Sequence, residues 1–137
     1  MLRAESKIRA RALQLLYAWD VTSAFSLRVL VAGLGNLAGR MTEVITAAEL
    51  LAEDVVADVD RLDAEIGSAA DNWRLERIGA VERNILRLAV HELHVRAVPP
   101  RVVINEAIQL AHWFAGPKAP GFVNGVLDTI ARRMGCL

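Results

Sequence analysis

Apolar residues recur along most of this chain at helical spacing. Ile8, Ala12, Leu15 and Trp19 fall at i, i+4, i+7 and i+11, which predicts a helix from about residue 5 to 20 with a single apolar stripe. Leu51, Val55, Val59, Leu62 and Ile66 continue the pattern inside a long acidic amphipathic helix expected from Met41 to Ile66, with Gly67 as its stop. Ile78, Val81, Ile85 and Leu88 form one stripe, and Leu86, Val90 and Leu93 a second. A helix apolar on two faces belongs at the centre of a core. Pro99-Pro100 ends that segment, and Val103, Ala107, Leu110 and Phe114 mark the next helix. The breaker cluster 116-GPKAPG-121 precedes a last helix carrying Val123, Leu127, Ile130 and Met134. No run alternates with period two, so the expected fold is all-α.

Two of these helices carry polar residues where an apolar face should approach the core. Asn105 and Glu106 interrupt 102-VVINEAIQLAHWF-114, and Asn124-Gly125 interrupts 122-FVNGVLDTIARRM-134. Both asparagines read as lying near helix starts, after Pro100 and after Gly121, where an amide caps or cross-links exposed backbone groups. Asn105, Glu106, Asn124 and Gly125 are therefore expected to be structural.

Composition narrows the class. With 137 residues, 54% hydrophobic and 5% aromatic, the chain reads as one ordered, aliphatic domain. The formal net charge is zero, so electrostatic function must come from uneven placement. Arg3, Lys7, Arg9 and Arg11 crowd the start against Glu5 alone, whereas residues 41–66 hold eight acids against Arg61 alone. Arg3, Lys7 and Arg11 recur at i, i+4 and i+8, with Arg9 on another edge and Tyr17 further along. Cations for phosphates beside a ring for bases suit single-stranded RNA, although charges on a surface helix are more often only solvated. No apolar run reaches about 18 residues, no signal-peptide core follows the N-terminal charges, and the single Cys136 fits a reducing compartment. A soluble cytoplasmic protein is expected.

Three candidate chemistries fail on context. The stretch 29-VLVAGLGNLAG-39 has the outline of a dinucleotide-binding turn. That chemistry requires a second strand ending in an acid about 20 residues on, and an acidic helix follows instead. In 91-HELH-94 the histidines stand at i, i+3, whereas a helical zinc site needs i, i+4 and a third ligand. No serine or cysteine sits in a His-acid pattern. No catalytic residue, metal site or cofactor is expected.

The string 7-KIRARALQLLY-17 resembles the R-x-R-x-x-A-x-Q-x-L-Y opening of the NusB family of transcription antitermination factors. The resemblance continues through 73-WRLERIGAVERNILRLAVHEL-93, 104-INEAIQLA-111 and 122-FVNGVLD-128, with a weaker match at 62-LD-63. It implies a single domain over residues 1–137, with about seven helices packed as two small bundles. It further implies binding of boxA-type RNA together with a small-subunit ribosomal protein, NusE, so that RNA polymerase reads through terminators. Other Nus factors and the polymerase would be contacted indirectly, no membrane would be involved, and a homodimer is among the states open to the chain. By the same resemblance the RNA surface takes in Arg3, Lys7, Arg9, Arg11 and Tyr17, together with Phe114, Lys118 and Phe122. The resemblance also turns Glu76 and Glu82 toward the protein partner. For Phe114 core packing competes with RNA contact, because it ends the Val103 stripe.

The chain departs from the family pattern at Glu5, Ser6, Lys7 and Gly121. Arginine is usual at the first three, and a basic residue immediately before F-V-N-G. Lysine offers a point charge where arginine offers a planar fork, so weaker or altered RNA binding is expected, with Arg11 as an extra cation. Two other readings stay open. One is a helical interaction module that has lost RNA. The other is the RNA-binding part of an RNA cytosine methyltransferase, against which stands the lack of a methyl-donor fold before Leu137.

Overall fold

The computed structural model describes residues 3–22, 42–71 and 75–137. Among them are six α-helices and one 3-10 turn, with no strand, so the expected all-α class is what is observed. The glycine-rich stretch 29–39 lies outside the described residues. The chain divides into two compact units, Met1–Ala57 and Asp58–Leu137.

In the first unit, α1 (Ala4–Thr22) packs against α2 (Thr42–Ala57). Ala12, Leu13, Leu15 and Leu16 of α1 are buried, as are Ile45, Ala48, Ala52 and Val55 of α2. In α2 the buried alanines stand at i and i+4, on one face of the helix. Their small side chains let a neighbouring backbone approach closely.

The long helix expected from Met41 to Ile66 is two helices. A break at Asp58 (φ −114°, ψ 14°) separates α2 from α3 (Val59–Ala69). Asp58 is held by its own neighbourhood: its carboxylate pairs with Arg61 and its carbonyl accepts from the Leu62 amide. Gly67 is not the stop either. The helix runs through it to Ala69, and the turn out is made by Asp71 at φ 53°, a residue type that tolerates the left-handed region through its short polar side chain.

The second unit is arranged around α4 (Ala80–Val95), which packs against α3, α5 (Pro100–Phe114) and α6 (Ala119–Arg133). Every residue from Asn84 to Val90 is buried, and so is Leu93. This is the central helix that two apolar stripes require. Two of the buried residues are polar. Arg87 sends Nε to one oxygen of Asp63 at 2.6 Å and an Nη to the other at 2.8 Å. Its second Nη donates to the Asn84 side-chain oxygen at 3.1 Å, and the Asn84 amide donates to the Ala80 carbonyl at 2.8 Å. A two-pronged guanidinium–carboxylate contact combines charge with fixed geometry. It ties α3 to α4 at one register.

Nearer the C-terminal end of α4, His94 meets Glu65 of α3 at 2.7 Å. The 91-HELH-94 stretch is thus a helix face, with both histidines half-buried. Arg96, at φ 59°, closes α4, and Pro99 then precedes Pro100 at the first position of α5, where a missing amide hydrogen removes nothing the helix could use.

The Arg87–Asp63 contact sets a stability expectation. Asp63→Ala strands a guanidinium whose residue is 5% exposed. Loss of one partner of a buried pair is worth roughly 3–5 kcal/mol, and about 3 kcal/mol is expected here because the Asp63 side chain keeps 23% exposure. Urea unfolding should report the loss, and the double replacement Asp63→Leu with Arg87→Met should recover much of it.

Candidate nucleic-acid interface

The first unit presents one face of α1. Lys7, Gln14 and Tyr17 are exposed at i, i+7 and i+10, and Arg3, also exposed, stands just ahead of the helix. These positions fall on one side of a 3.6-residue repeat. Arg11 is half-buried beside them, its guanidinium donating to Gln14 Oε1 at 2.9 Å. Arg9 is separated from the others. Two residues on from Lys7, it points roughly 200° around the helix, is 6% exposed and is engaged within the fold together with buried Ser6. The basic stretch is therefore an outward row of Arg3 and Lys7, with Arg11 at its margin, and one inward cation.

The second unit holds a groove of about 440 Å³. One wall is Arg77, Ile78, Gly79 and Glu82, and the other is Gly116, Pro117, Lys118, Ala119 and Phe122. The first wall is built by the 3-10 turn Leu75–Arg77 and the start of α4. Arg83 secures it, donating to the carbonyls of Ile78 at 2.9 Å and Leu75 at 3.4 Å. Gly79 caps α4 without a side chain, and the Glu82 carboxylate folds back over it so closely that a Cβ there would collide. Glu82, Lys118 and Phe122 thus share one depression. Glu76 is exposed on the 3-10 turn and does not line it.

Several sequence-based placements need correction. Helix α6 begins at Ala119, inside the breaker cluster, with Lys118 at its cap and no side-chain cap bond. Helix α5 begins at Pro100, likewise without one. Asn105 and Asn124 consequently sit five residues inside their helices, exposed, and cap nothing. The polar residues interrupt the apolar pattern because they point to solvent. Phe114 is not a core residue. It is 41% exposed, with its ring perpendicular to that of Trp113 at 6.4 Å; Val103, Ile104, Ala107, Leu110 and Ala111 supply the buried side of α5. Sequence reasoning did not single out Trp113, 40% exposed, or Arg77, Arg83 and Pro117 around the groove. The adjacent Trp-Phe pair was the available signal for the first. Only folding brings the others together.

The model of the NusB family matches residues 6–132. A transcription antitermination protein NusB from Rubrobacter xylanophilus is 40% identical over 120 residues, covering 87% of this chain and 84% of that protein. The solution structure of NusB from Aquifex aeolicus superposes with a TM-score of 0.82 at 29% identity, over 96% of this chain and 89% of that one. A crystal structure of antitermination factors NusB and NusE in complex with dsRNA matches with a TM-score of 0.80 at 28% identity, over 97% and 99% of the two chains.

Gly125 offers a test of what this region is for. It lies within α6, is exposed, and a Cβ added there meets nothing within 4 Å. A helix-interior glycine without a packing reason weakens the helix by about 1 kcal/mol relative to alanine. Gly125→Ala should therefore raise the unfolding free energy by up to about 1 kcal/mol in a denaturant titration. A loss of stability would show that the glycine is needed for the fold itself.

Proposed function

The chain belongs to the NusB family, and on that footing we propose that it is a transcription antitermination factor which binds boxA-type single-stranded RNA together with the ribosomal protein NusE. It works by binding and not by catalysis, in the cytoplasm, where it promotes read-through by RNA polymerase. The observation that carries the reading is the shared fold, along almost the whole chain, with a NusB solved beside NusE and dsRNA.

The residue assignments belong to the same proposal. On the first unit, Arg3 and Lys7 hold phosphates, Tyr17 offers a ring, and Arg11 adds charge at the margin. Their exposure supports this. Arg9, being buried, contributes through the local field and not as a free hand for phosphate. On the second unit, Lys118 and half-buried Phe122 take RNA, and Glu82 meets NusE, with Glu76 beside it on the turn. Glu82 shares a groove with the two RNA residues. Ligands gripping opposite walls of one groove stabilise the same wall positions, so each should favour the other.

Two measurements test this. Lys7→Ala should weaken binding of a boxA-like RNA and lower the log–log salt slope by roughly 0.7, the share of one single-strand phosphate contact. Identical curves for variant and wild type at every salt concentration would leave the α1 row as a solvated face. NusE should tighten RNA binding, and RNA should tighten NusE binding by the same factor, typically about 1–3 kcal/mol. Charge reversal at Glu82 should weaken the ternary complex more than the binary RNA complex.

A further inference from the structure

We propose that the solvent face of α5 is a second RNA-reading surface, on which Trp113 stacks a nucleobase. The proposal rests on the RNA-binding reading above and extends it to α5, whose residues that reading does not use. Asn105, Gln109 and Trp113 stand four residues apart and all are exposed, so they form one stripe along the helix. The stripe has no part in the core, which α5 supplies from its opposite side. Its end is an aromatic step: the Trp113 indole, 40% exposed, set at 87° to the Phe114 ring, 41% exposed. Perpendicular packing steadies each ring and leaves π-surface open.

The occupant follows from the chemistry of the same surface. Across residues 100–118 the exposed charged side chains are Arg101 and Lys118, with His112 also exposed, while the one carboxylate, Glu106, is half-buried. In a chain of zero net charge, that is a local bias toward a polyanion. Asn105 and Gln109 each bring a donor and an acceptor, the pair of functions that unpaired base edges and the ribose 2′-hydroxyl present. Single-stranded RNA meets all three features: a base for the ring, edges for the amides and phosphates for the cations.

The experiment is a titration of the full chain with a boxA-like single-stranded RNA of about 12 nucleotides. It compares wild type with Trp113→Ala, Trp113→Phe and Lys7→Ala. Loss of one stacked base should weaken Trp113→Ala by about 5- to 140-fold without changing the salt slope. Trp113→Phe keeps a π-face and should retain most of the affinity. RNA should quench tryptophan emission in the wild type, and much of that quench should vanish in Trp113→Phe. Thermal unfolding checks that Trp113→Ala remains folded, as expected for a ring outside the core. Wild-type affinity in Trp113→Ala alongside weakened Lys7→Ala would overturn this inference and leave the RNA reading standing. Lost NusE affinity with intact RNA affinity would make the stripe a protein interface and also overturn it. Failure of the wild type to bind RNA at all would remove both.

Discussion

The contact between Arg87 and Asp63 is the constraint around which the second unit is built. A guanidinium placed among buried residues is strongly unfavourable unless its donors are met. Here an Asp63 carboxylate meets two of them and Asn84 a third, and Asn84 is itself held by the Ala80 carbonyl. The arrangement leaves no buried side-chain polar atom without a partner among the described residues. Its value is register more than net stability, since a well-packed apolar pair could supply comparable energy. At this position of α3 along α4 both prongs are aligned, and Glu65 also meets His94.

With α4 held, its first turn becomes a fixed platform. Arg83, one turn before Arg87, donates to two carbonyls of the segment entering α4 and holds the 3-10 turn that carries Glu76 and Arg77. Gly79 then admits the Glu82 carboxylate over the helix start. The groove wall is therefore an outgrowth of the core: a buried ion pair sets α4, and α4 sets the turn. The opposite wall arises from a short connection, Ala115–Lys118, whose Gly-Pro pair cannot continue α5 and lets α6 start at once.

The surface chemistry is sorted by helix rotation. Lys7 and Arg9 are two residues apart and look alike in sequence, yet one faces solvent and the other the interior. The same rotation puts Asn105 and Gln109 outside while Val103 and Leu110 go inside. Cations and amides displayed outward on a neutral protein make local anion-seeking faces without the solubility and self-repulsion effects of high net charge.

The all-helical class, the central position of α4, the start of α1 near residue 5 and the family itself were legible in the sequence, because period-3.6 patterning and motif spacing are local signals. The break at Asp58 was not. Apolar residues keep nearly the same spacing through it, and only the packing of each half decides that the helix divides there. Gly67 misled because helix propensity is a weak preference that tertiary contacts override. Asn105 and Asn124 misled because a polar residue in an apolar stretch reads equally as a cap or as the solvent face until the helix start is known. The groove needed folding most of all. Arg77 and Glu82 stand far along the chain from Lys118 and Phe122, and no pattern in one dimension states that α4 and α6 will set them face to face.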